Sequence, residues 1–285
     1  MRSQKSNRPT PRIMLPWIFC IAACTSYAQQ PRPNPAAQDK ILEAMHHYAA
    51  QYVSNLPNFL CEQVTRELEA GKKSNHWHKL DILVSRLSYN RGREERTLAQ
   101  VNGKPFDPHK ARRRSPLTTE GEFGILLSRI LGPESEAWFT WNRWEVVRGK
   151  RLAVFDFEVD KLHSTMTLTM SDLVKATIPY RGAIYGDPET GAVWRITQTA
   201  YNIPRSLMTR EFSTTIDYDE IRIADKTYLL PVEAEVTALL ETRKIRNELT
   251  FEDYRKFEAD SAITFGSVAP QKDDESAKPT APPKR

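Results

Sequence analysis

The stretch YLLPVEAEVTALL occupies residues 228–240 and decides the fold class. Apolar side chains recur at every second position, at Leu230, Val232, Ala234, Val236, Ala238 and Leu240. Glu233 and Glu235 fall on the opposite face. Successive strand residues point to opposite faces, so this alternation predicts a strand with one buried and one solvated face. Such strands are typical of antiparallel sheets.

Further strands are predicted on both sides of this stretch. Residues 212–223 precede it and residues 244–257 follow it, each after a short polar turn. Upstream, strands are predicted over 58–69, 77–89, 96–101, 138–147, 151–161, 165–170, 177–185 and 192–201. Strands at this spacing, joined by short turns, indicate a meander, a sandwich or a barrel.

Two helices accompany the strands. Asn34 and Pro35 have the chemistry of a helix start, and apolar residues in 36–55 form one stripe at helical spacing. Thr119 and Glu122 have the spacing of a capping box, and a second helix follows as far as Gly132. Two helices are too few to cover both faces of a parallel sheet, so the prediction is a single α+β domain over 36–265. The polar, Pro-rich residues 266–285 predict a disordered tail.

Residues 1–28 have the order of a secretory signal peptide, and 29–35 form a Pro-rich linker. A basic segment is followed by the apolar run 13–23 and by small residues at Ser26 and Ala28. The run is shorter than the roughly 20 residues that span a bilayer. Two outcomes are open: cleavage after Ala28, or acylation of Cys24, since Ile21, Ala22, Ala23 and Cys24 resemble the lipobox of bacterial lipoproteins. Either outcome predicts an exported protein of the periplasm, the outer membrane or the medium.

Charge and cysteine content narrow the function classes. The net charge is +5, but four of the 41 Lys and Arg residues lie within 1–28 and leave 37 cations against 36 anions. The high pI is therefore no argument for a nucleic-acid partner, and none is predicted. Of three cysteines, only Cys61 follows Ala28, so the fold has no internal disulfide and Cys61 is predicted to be a buried, inert thiol.

Residues 177–265 resemble the LolA/LolB-like lipoprotein-carrier superfamily. The resemblance is carried by the hairpin YGDPETGAVWRI (185–196), by TIDY (215–218), by YLLP (228–231), and by Phe251 and the YRKF of 254–257. It implies a curved antiparallel half-barrel with an N-terminal amphipathic helix and a second short helix on the concave face. It assigns no residue a role. The N-terminal half also resembles uncharacterised secreted bacterial proteins.

The sequence contains no recognised catalytic or metal-binding motif. The sequence has no Gly-rich phosphate loop, no CxxC pair, no HExxH and no GxSxG. His76 and His78 would share one strand face, about 7 Å apart, but two imidazoles alone do not make a metal site. Carboxylate pairs such as Asp156 with Glu158 are interpreted as solvating groups. We therefore predict no catalytic residue, no cofactor and no metal.

The predicted function is non-enzymatic binding of a lipid, an acyl chain or a hydrophobic peptide in the concavity of the sheet. Its candidate wall residues are Trp138, Trp144, Leu230, Val232, Val236 and Phe251. By strand alternation Trp138 and Trp144 share a face and Trp141 opposes them. The cationic residues within 109–114 either contact a membrane surface or form a solvated loop. The alternative function is an interaction or scaffold module of an envelope complex.

Overall fold

A computed structural model describes residues 31–107, 123–171 and 174–257, with Met170 and Ser171 described by their backbone alone. Contacts divide the chain between Arg32 and Pro33, and the helices and strands given below belong to the second unit. The predicted signal peptide with Cys24, the cationic residues within 109–114 and the tail 266–285 lie outside the described residues. Those predictions remain expectations.

Two helices and thirteen strands are described. The helices are α1 (Pro35–Asn55) and α2 (Ile125–Leu131). The strands are β1 (Phe59–Gly71), β2 (His78–Asn90), β3 (Arg93–Val101), β4 (Lys104–Pro105), β5 (Trp138–Val147), β6 (Lys150–Val159), β7 (Thr167–Ser171), β8 (Val174–Thr177), β9 (Tyr180–Gly186), β10 (Val193–Ala200), β11 (Thr209–Ile223), β12 (Lys226–Leu240) and β13 (Arg243–Lys256). Short 3₁₀ turns cover Pro133–Ser135 and Arg205–Leu207.

Helix α1 begins where the sequence predicts. The Asn34 side chain accepts a hydrogen bond from the Ala37 amide at 2.9 Å, and Pro35 occupies the first turn. This cap satisfies a backbone donor that the helix itself leaves unpaired. The predicted stripe is buried against the sheet at Ile41, Met45, Ala49 and Tyr52. The exposed His47 points away from the sheet, as its position beside the stripe predicts.

Eleven strands form one open antiparallel sheet. Their order is β4-β3-β2-β1-β13-β12-β11-β10-β9-β6-β5, so the sheet ends at β4 and β5 and is not closed. Most neighbours are successive strands joined by turns, but β1 pairs with β13 and β6 pairs with β9. The predicted α+β class, a large antiparallel sheet with an N-terminal amphipathic helix and a second short helix, is confirmed.

The strand predicted over 177–185 is interrupted. Residues Val174–Thr177 pair with β7 in a separate two-stranded sheet, and Tyr180–Gly186 joins the large sheet as β9. Pro179 lies between the two segments and has no backbone N–H to donate to a ladder, which accounts for the break. The second helix is also shorter than predicted: Gly124, with φ of +109°, is its N-cap, and residues 119–122 lie outside the described residues.

We call the face of the sheet against which α1 and α2 pack the inner face, and the opposite one the outer face. The inner face carries the main apolar cluster, which includes residues from both helices and from most strands. The outer face is less uniformly polar and solvent-exposed than the alternating pattern predicts. Val147, Leu152, Val154, Ala183, Tyr185 and Trp194 form a second apolar cluster on it. Lys150 lies 4.4 Å from the Trp194 ring centroid and covers this cluster with a cation.

Candidate functional site

The predicted wall residues do not all lie together. Leu230, Val236 and Phe251 are buried in the main cluster of the inner face. Trp144 packs against the margin of this cluster. Val232 is half-buried, at a point where the pairing of β11 with β12 shifts and leaves it without an opposite residue. Trp138 is on the outer face and 81% exposed, so it is not part of the inner-face wall.

The prediction that Trp138 and Trp144 share a face is wrong, and a β-bulge is the reason. Trp141 pairs with Phe155 and Arg143 with Val154, so Asn142 has no opposite residue on β6. One extra residue inverts the alternation beyond it. Trp141 and Trp144 therefore lie side by side, with ring centroids 5.0 Å apart, and both contact the main cluster.

A short aromatic and aliphatic segment covers the centre of the inner face. Phe123 is buried just before α2, with its ring centroid 5.3 Å from Phe59 and 5.5 Å from Phe251. Helix α2 then buries four of its seven residues, at Leu126, Leu127, Ile130 and Leu131. Phe251 is therefore buried beneath Phe123.

Three side chains hold the last carbonyls of α2. The Tyr180 hydroxyl donates to the Arg129 carbonyl at 2.9 Å, and the Ser135 hydroxyl donates to the Ile130 carbonyl at 2.8 Å. His46 Nδ1 lies 2.6 Å from the Leu131 carbonyl. A carbonyl only accepts, so Nδ1 carries the proton. These carbonyls belong to the unpaired end of the helix, and we call the three residues the α2 clasp.

Burial keeps the tyrosine of this clasp protonated. Burial raises the pKa of Tyr180 to about 12, and the nearby Arg129 opposes the rise only in part. The hydroxyl is therefore a donor throughout the physiological pH range. Sequence patterns did not identify the clasp, because its members lie on α1, on a 3₁₀ turn and on β9. The only local signal was the position of His46 beside the buried stripe of α1.

Beside the apolar cluster, the inner face carries a row of buried polar residues that sequence reasoning missed. Glu67, Asn247, Thr214 and Gln198 lie on β1, β13, β11 and β10, in one register row that also contains Val236. All four are buried. Within the described part of the chain, Gln198 Oε1 in this row accepts no hydrogen bond. Buried amides without partners are rare, so this row has unused hydrogen-bonding capacity.

Several carboxylates of the outer face take part in ion pairs, whereas Asp156 and Glu158 accept hydrogen bonds from the neutral Asn142 and Tyr201 side chains. Asp217 accepts two hydrogen bonds from the Arg195 guanidinium, at 2.5 and 3.0 Å. Arg148 bridges Asp219 at 3.2 Å and Glu233 at 2.8 Å. Each of these carboxylates is thus matched by a cation from another strand or turn.

Metal and membrane signals are weak in the described residues. Their His, Cys, Asp and Glu side chains form no group of three or more that could hold a metal ion. His76 and His78 are neighbours, with ring centroids 6.3 Å apart. Neither described helix has the length and apolar character needed to cross a bilayer.

No protein-family model and no curated protein matches the sequence. The structure is similar to a LolA superfamily protein from Nitrosomonas europaea, with 11% identity over 78% of this chain and 94% of that chain and a TM-score of 0.37. A domain provisionally assigned to outer membrane lipoprotein sorting, from Vibrio parahaemolyticus, is 12% identical over 77% of this chain and 92% of that chain, with a TM-score of 0.40. A DUF1329 family protein from Desulfovibrio piger is 10% identical over 79% and 95% of the respective chains, with a TM-score of 0.39. These similarities agree with the resemblance predicted from residues 177–265, but they concern the fold alone, and no family membership or function is transferred with them.

Proposed function

We propose that this chain is an exported, non-enzymatic protein of the cell envelope that binds a lipid, an acyl chain or a hydrophobic peptide on the inner face of its sheet. The supporting observation is the cover of that face. A helix of seven residues, preceded by Gly124 with φ of +109°, lies on the main apolar cluster. Isolated helices shorter than about 12–15 residues are marginal in water, so α2 owes its structure to this contact.

The free energy with which α2 packs on the inner face implies that a ligand replacing it is long and apolar. The four buried side chains of α2 contribute about 6–12 kcal/mol in total, at about 1.5–3 kcal/mol each. An acyl chain gains about 0.8 kcal/mol for each buried CH₂. A ligand that replaces α2 therefore needs about 8–15 buried methylenes, or an equivalent hydrophobic peptide, to compensate for the lost contacts.

The floor of this proposed site contains most of the predicted wall. Leu230, Val236 and Phe251 form part of the buried cluster, and Trp144 packs at its margin. The buried polar row that includes Gln198 and Thr214 adjoins the same cluster. An apolar floor beside hydrogen-bonding groups suits an amphiphile, whose head group the polar row would hold.

The test uses the α2 clasp. Tyr180→Phe removes the hydrogen bond to the Arg129 carbonyl and keeps the ring. A hydrogen bond contributes about 1 kcal/mol net to stability. Its loss makes α2 easier to displace, so we expect the variant to bind the probe about fivefold more tightly. Titration of purified protein with a fluorescent long-chain fatty acid measures this change.

The matched control is Ser213→Ala. It removes one hydrogen bond, to Thr237 at 2.6 Å, between two strands remote from α2. We expect its affinity for the fatty acid to equal that of the wild type. A failure of the wild type and Tyr180→Phe to bind the probe, or the same shift in both variants, contradicts the proposal.

Export and anchoring are proposed from residues 1–28. A fusion of this segment to a reporter enzyme that is active only outside the cytoplasm tests export. Cys24→Ala then separates the two outcomes: loss of membrane association indicates acylation, and unchanged fractionation indicates simple cleavage. The alternative function, an interaction module that uses the convex face of the sheet or residues 266–285, stays a prediction, and the tail lies outside the described residues.

A further inference from the structure

A groove of about 550 Å³ crosses the outer face near the β5 edge of the sheet. Two register rows form its floor, each with one residue from β5, β6, β9 and β10. The first row is Trp138, Glu158, Arg181 and Thr199, and the second is Thr140, Asp156, Ala183 and Thr197. Strands lie about 4.8 Å apart, so the four-strand rows are about 14 Å long.

Trp138 stands at one end of this groove. Its side chain is 81% exposed, although a tryptophan is normally mostly buried. Its neighbour Phe139 points the other way and packs against the inner-face cluster, which fixes the strand and directs Trp138 outward. The indole thus presents a broad apolar surface beside polar groups. This arrangement favours a ligand that has both a flat apolar face and hydrogen-bonding edges.

The polar groups of the groove both donate and accept. Asp156 accepts from the Asn142 amide, with 2.8 Å to each carboxylate oxygen, and Glu158 accepts from the Tyr201 hydroxyl at 2.8 Å. These partners are neutral, and a carboxylate offers about four acceptor sites, so both carboxylates keep capacity for further donors. The Arg181 guanidinium lies 5.7 Å from the Tyr201 ring centroid and supplies donors. Thr140 and Thr199 add hydroxyl groups, whereas the Thr197 hydroxyl accepts a hydrogen bond from the Ala183 amide at 3.0 Å.

The charge pattern selects among ligand classes. Asp156 and Glu158 would repel an anionic ligand. Arg181, which pairs in register with Glu158, would repel a cationic peptide. A neutral ligand rich in hydroxyl groups meets no repulsion, because each hydroxyl both donates to a carboxylate and accepts from the guanidinium. Sugar rings also have one face of C–H groups that can stack on an indole.

We propose that the outer-face groove binds a neutral oligosaccharide, which stacks one ring on Trp138 and hydrogen-bonds to Asp156, Glu158 and Arg181. The groove is long enough for a short chain of sugars. It lies on the face opposite the proposed lipid site, and its ligand-contacting side chains Trp138, Asp156, Glu158 and Arg181 are not part of the inner-face cluster, although Phe157 lines the groove and belongs to that cluster. The two proposals are therefore independent.

The experiment is a calorimetric titration of the untruncated protein, purified after export. The titrants are a panel of neutral hexasaccharides of the chito-, cello-, malto- and laminari-oligosaccharide series. We expect at least one to bind and to shift tryptophan emission to the blue. Trp138→Ala and Asp156→Asn each weaken this binding about tenfold or more. The control, Leu162→Ala, changes an 84% exposed side chain that does not line the groove, and its affinity stays at the wild-type value.

Four outcomes overturn the proposal. The first is that no sugar in the panel binds, and the second is that wild type and Trp138→Ala bind equally well. The third is that a lysine-rich peptide binds in place of the sugars. The fourth is that no sugar binds and the wild type is a dimer that Trp138→Ala dissociates, which would make Trp138 a contact between two copies of the chain. Circular dichroism verifies that each variant is folded. Tyr180→Phe supplies a further check, because it leaves sugar affinity unchanged whether or not it alters fatty-acid binding.

Discussion

Cys61 illustrates how burial alone decides the chemistry of a residue. The thiol lies on the inner face of β1 and is buried in the main cluster, as its place in an apolar strand predicts. Burial, with a smaller contribution from Glu94, raises its pKa from the ordinary 9.0 to about 12. The thiolate is the reactive form, so the folded protein holds an inert thiol.

This pKa shift predicts a pH dependence of stability. The folded state holds the thiol proton more tightly than the unfolded chain does. The stability that the thiol contributes is therefore complete below pH 9.0 and declines as the pH rises toward about 12. We expect the free energy of unfolding of wild type minus that of Cys61→Ala, from denaturant titrations, to be constant up to neutral pH and to fall above pH 9.0. A difference that stays constant across this range contradicts the shift.

Some residues of the candidate site could be predicted from the sequence and others could not. Leu230 and Val236 were identifiable because they alternate with glutamates along one strand. Tyr180 and His46 were not, because their partners are backbone carbonyls of a helix 51 and 85 residues away in the chain. Such contacts depend on the packing of α2 against the sheet, and no local pattern encodes them.

At the scale of elements, helix α1 is seated on the hairpin between β9 and β10. Asp187 caps the turn of this hairpin, where its side chain accepts from the Glu189 and Thr190 amides at 2.9 Å. Gly191 ends the turn with φ of +71°, and a Cβ there would overlap the backbone carbonyl of Ala44 in α1. The glycine thus serves both the turn and the close approach of the helix.

We expect Gly191→Ala to destabilise the protein far more than a matched turn variant. Gly149 has a similar φ of +78°, but a Cβ there would meet nothing within 4 Å. Gly149→Ala then costs about 1 kcal/mol for the backbone conformation alone. Gly191→Ala adds the displacement of α1, and its melting temperature falls well below that of Gly149→Ala. Equal melting temperatures would show that α1 does not rest on this turn.

Bulges mark the elements that simple alternation could not describe. The extra residue at Asn142 moves Trp144 to the inner face, and the one at Val232 interrupts the face that begins at Leu230. A bulge has no composition of its own, since it arises from the pairing with the neighbouring strand. Strand positions were thus predicted well, whereas the face of Trp144 beyond the bulge at Asn142 was not.

At the scale of the whole molecule, one non-local pairing unites the two halves of the sheet. Strand β1 pairs with β13 along nearly its full length, from Phe59 opposite Lys256 to Gly71 opposite Arg243. This pairing joins the first hairpins to the last ones, and the inner-face cluster continues across it. The chain must close its longest loop to form this contact, which makes cooperative and comparatively slow folding the expectation.

Leu249→Ala tests this cooperativity. Leu249 is buried on β13 in the shared cluster, and its truncation costs about 2–5 kcal/mol. We expect tryptophan fluorescence, which reports mainly on β5 and β10, to shift to the same denaturant midpoint as far-UV circular dichroism. The control, Thr250→Ala, changes a half-exposed neighbour and costs less than about 1 kcal/mol. Separate midpoints for the two probes would show that the halves unfold independently.

The sequence by itself determined the α+β class, the position of α1 and of most strands, the cap of α1 and the burial of Cys61. These features follow from patterns of two or about four residues and from local capping, which are visible without knowledge of any distant contact. The tertiary structure alone decided the β1–β13 pairing, the bulges, the α2 clasp, the buried polar row and the groove beside Trp138. Each of these requires residues far apart in the chain to meet, and their meeting depends on how the whole sheet packs against its helices.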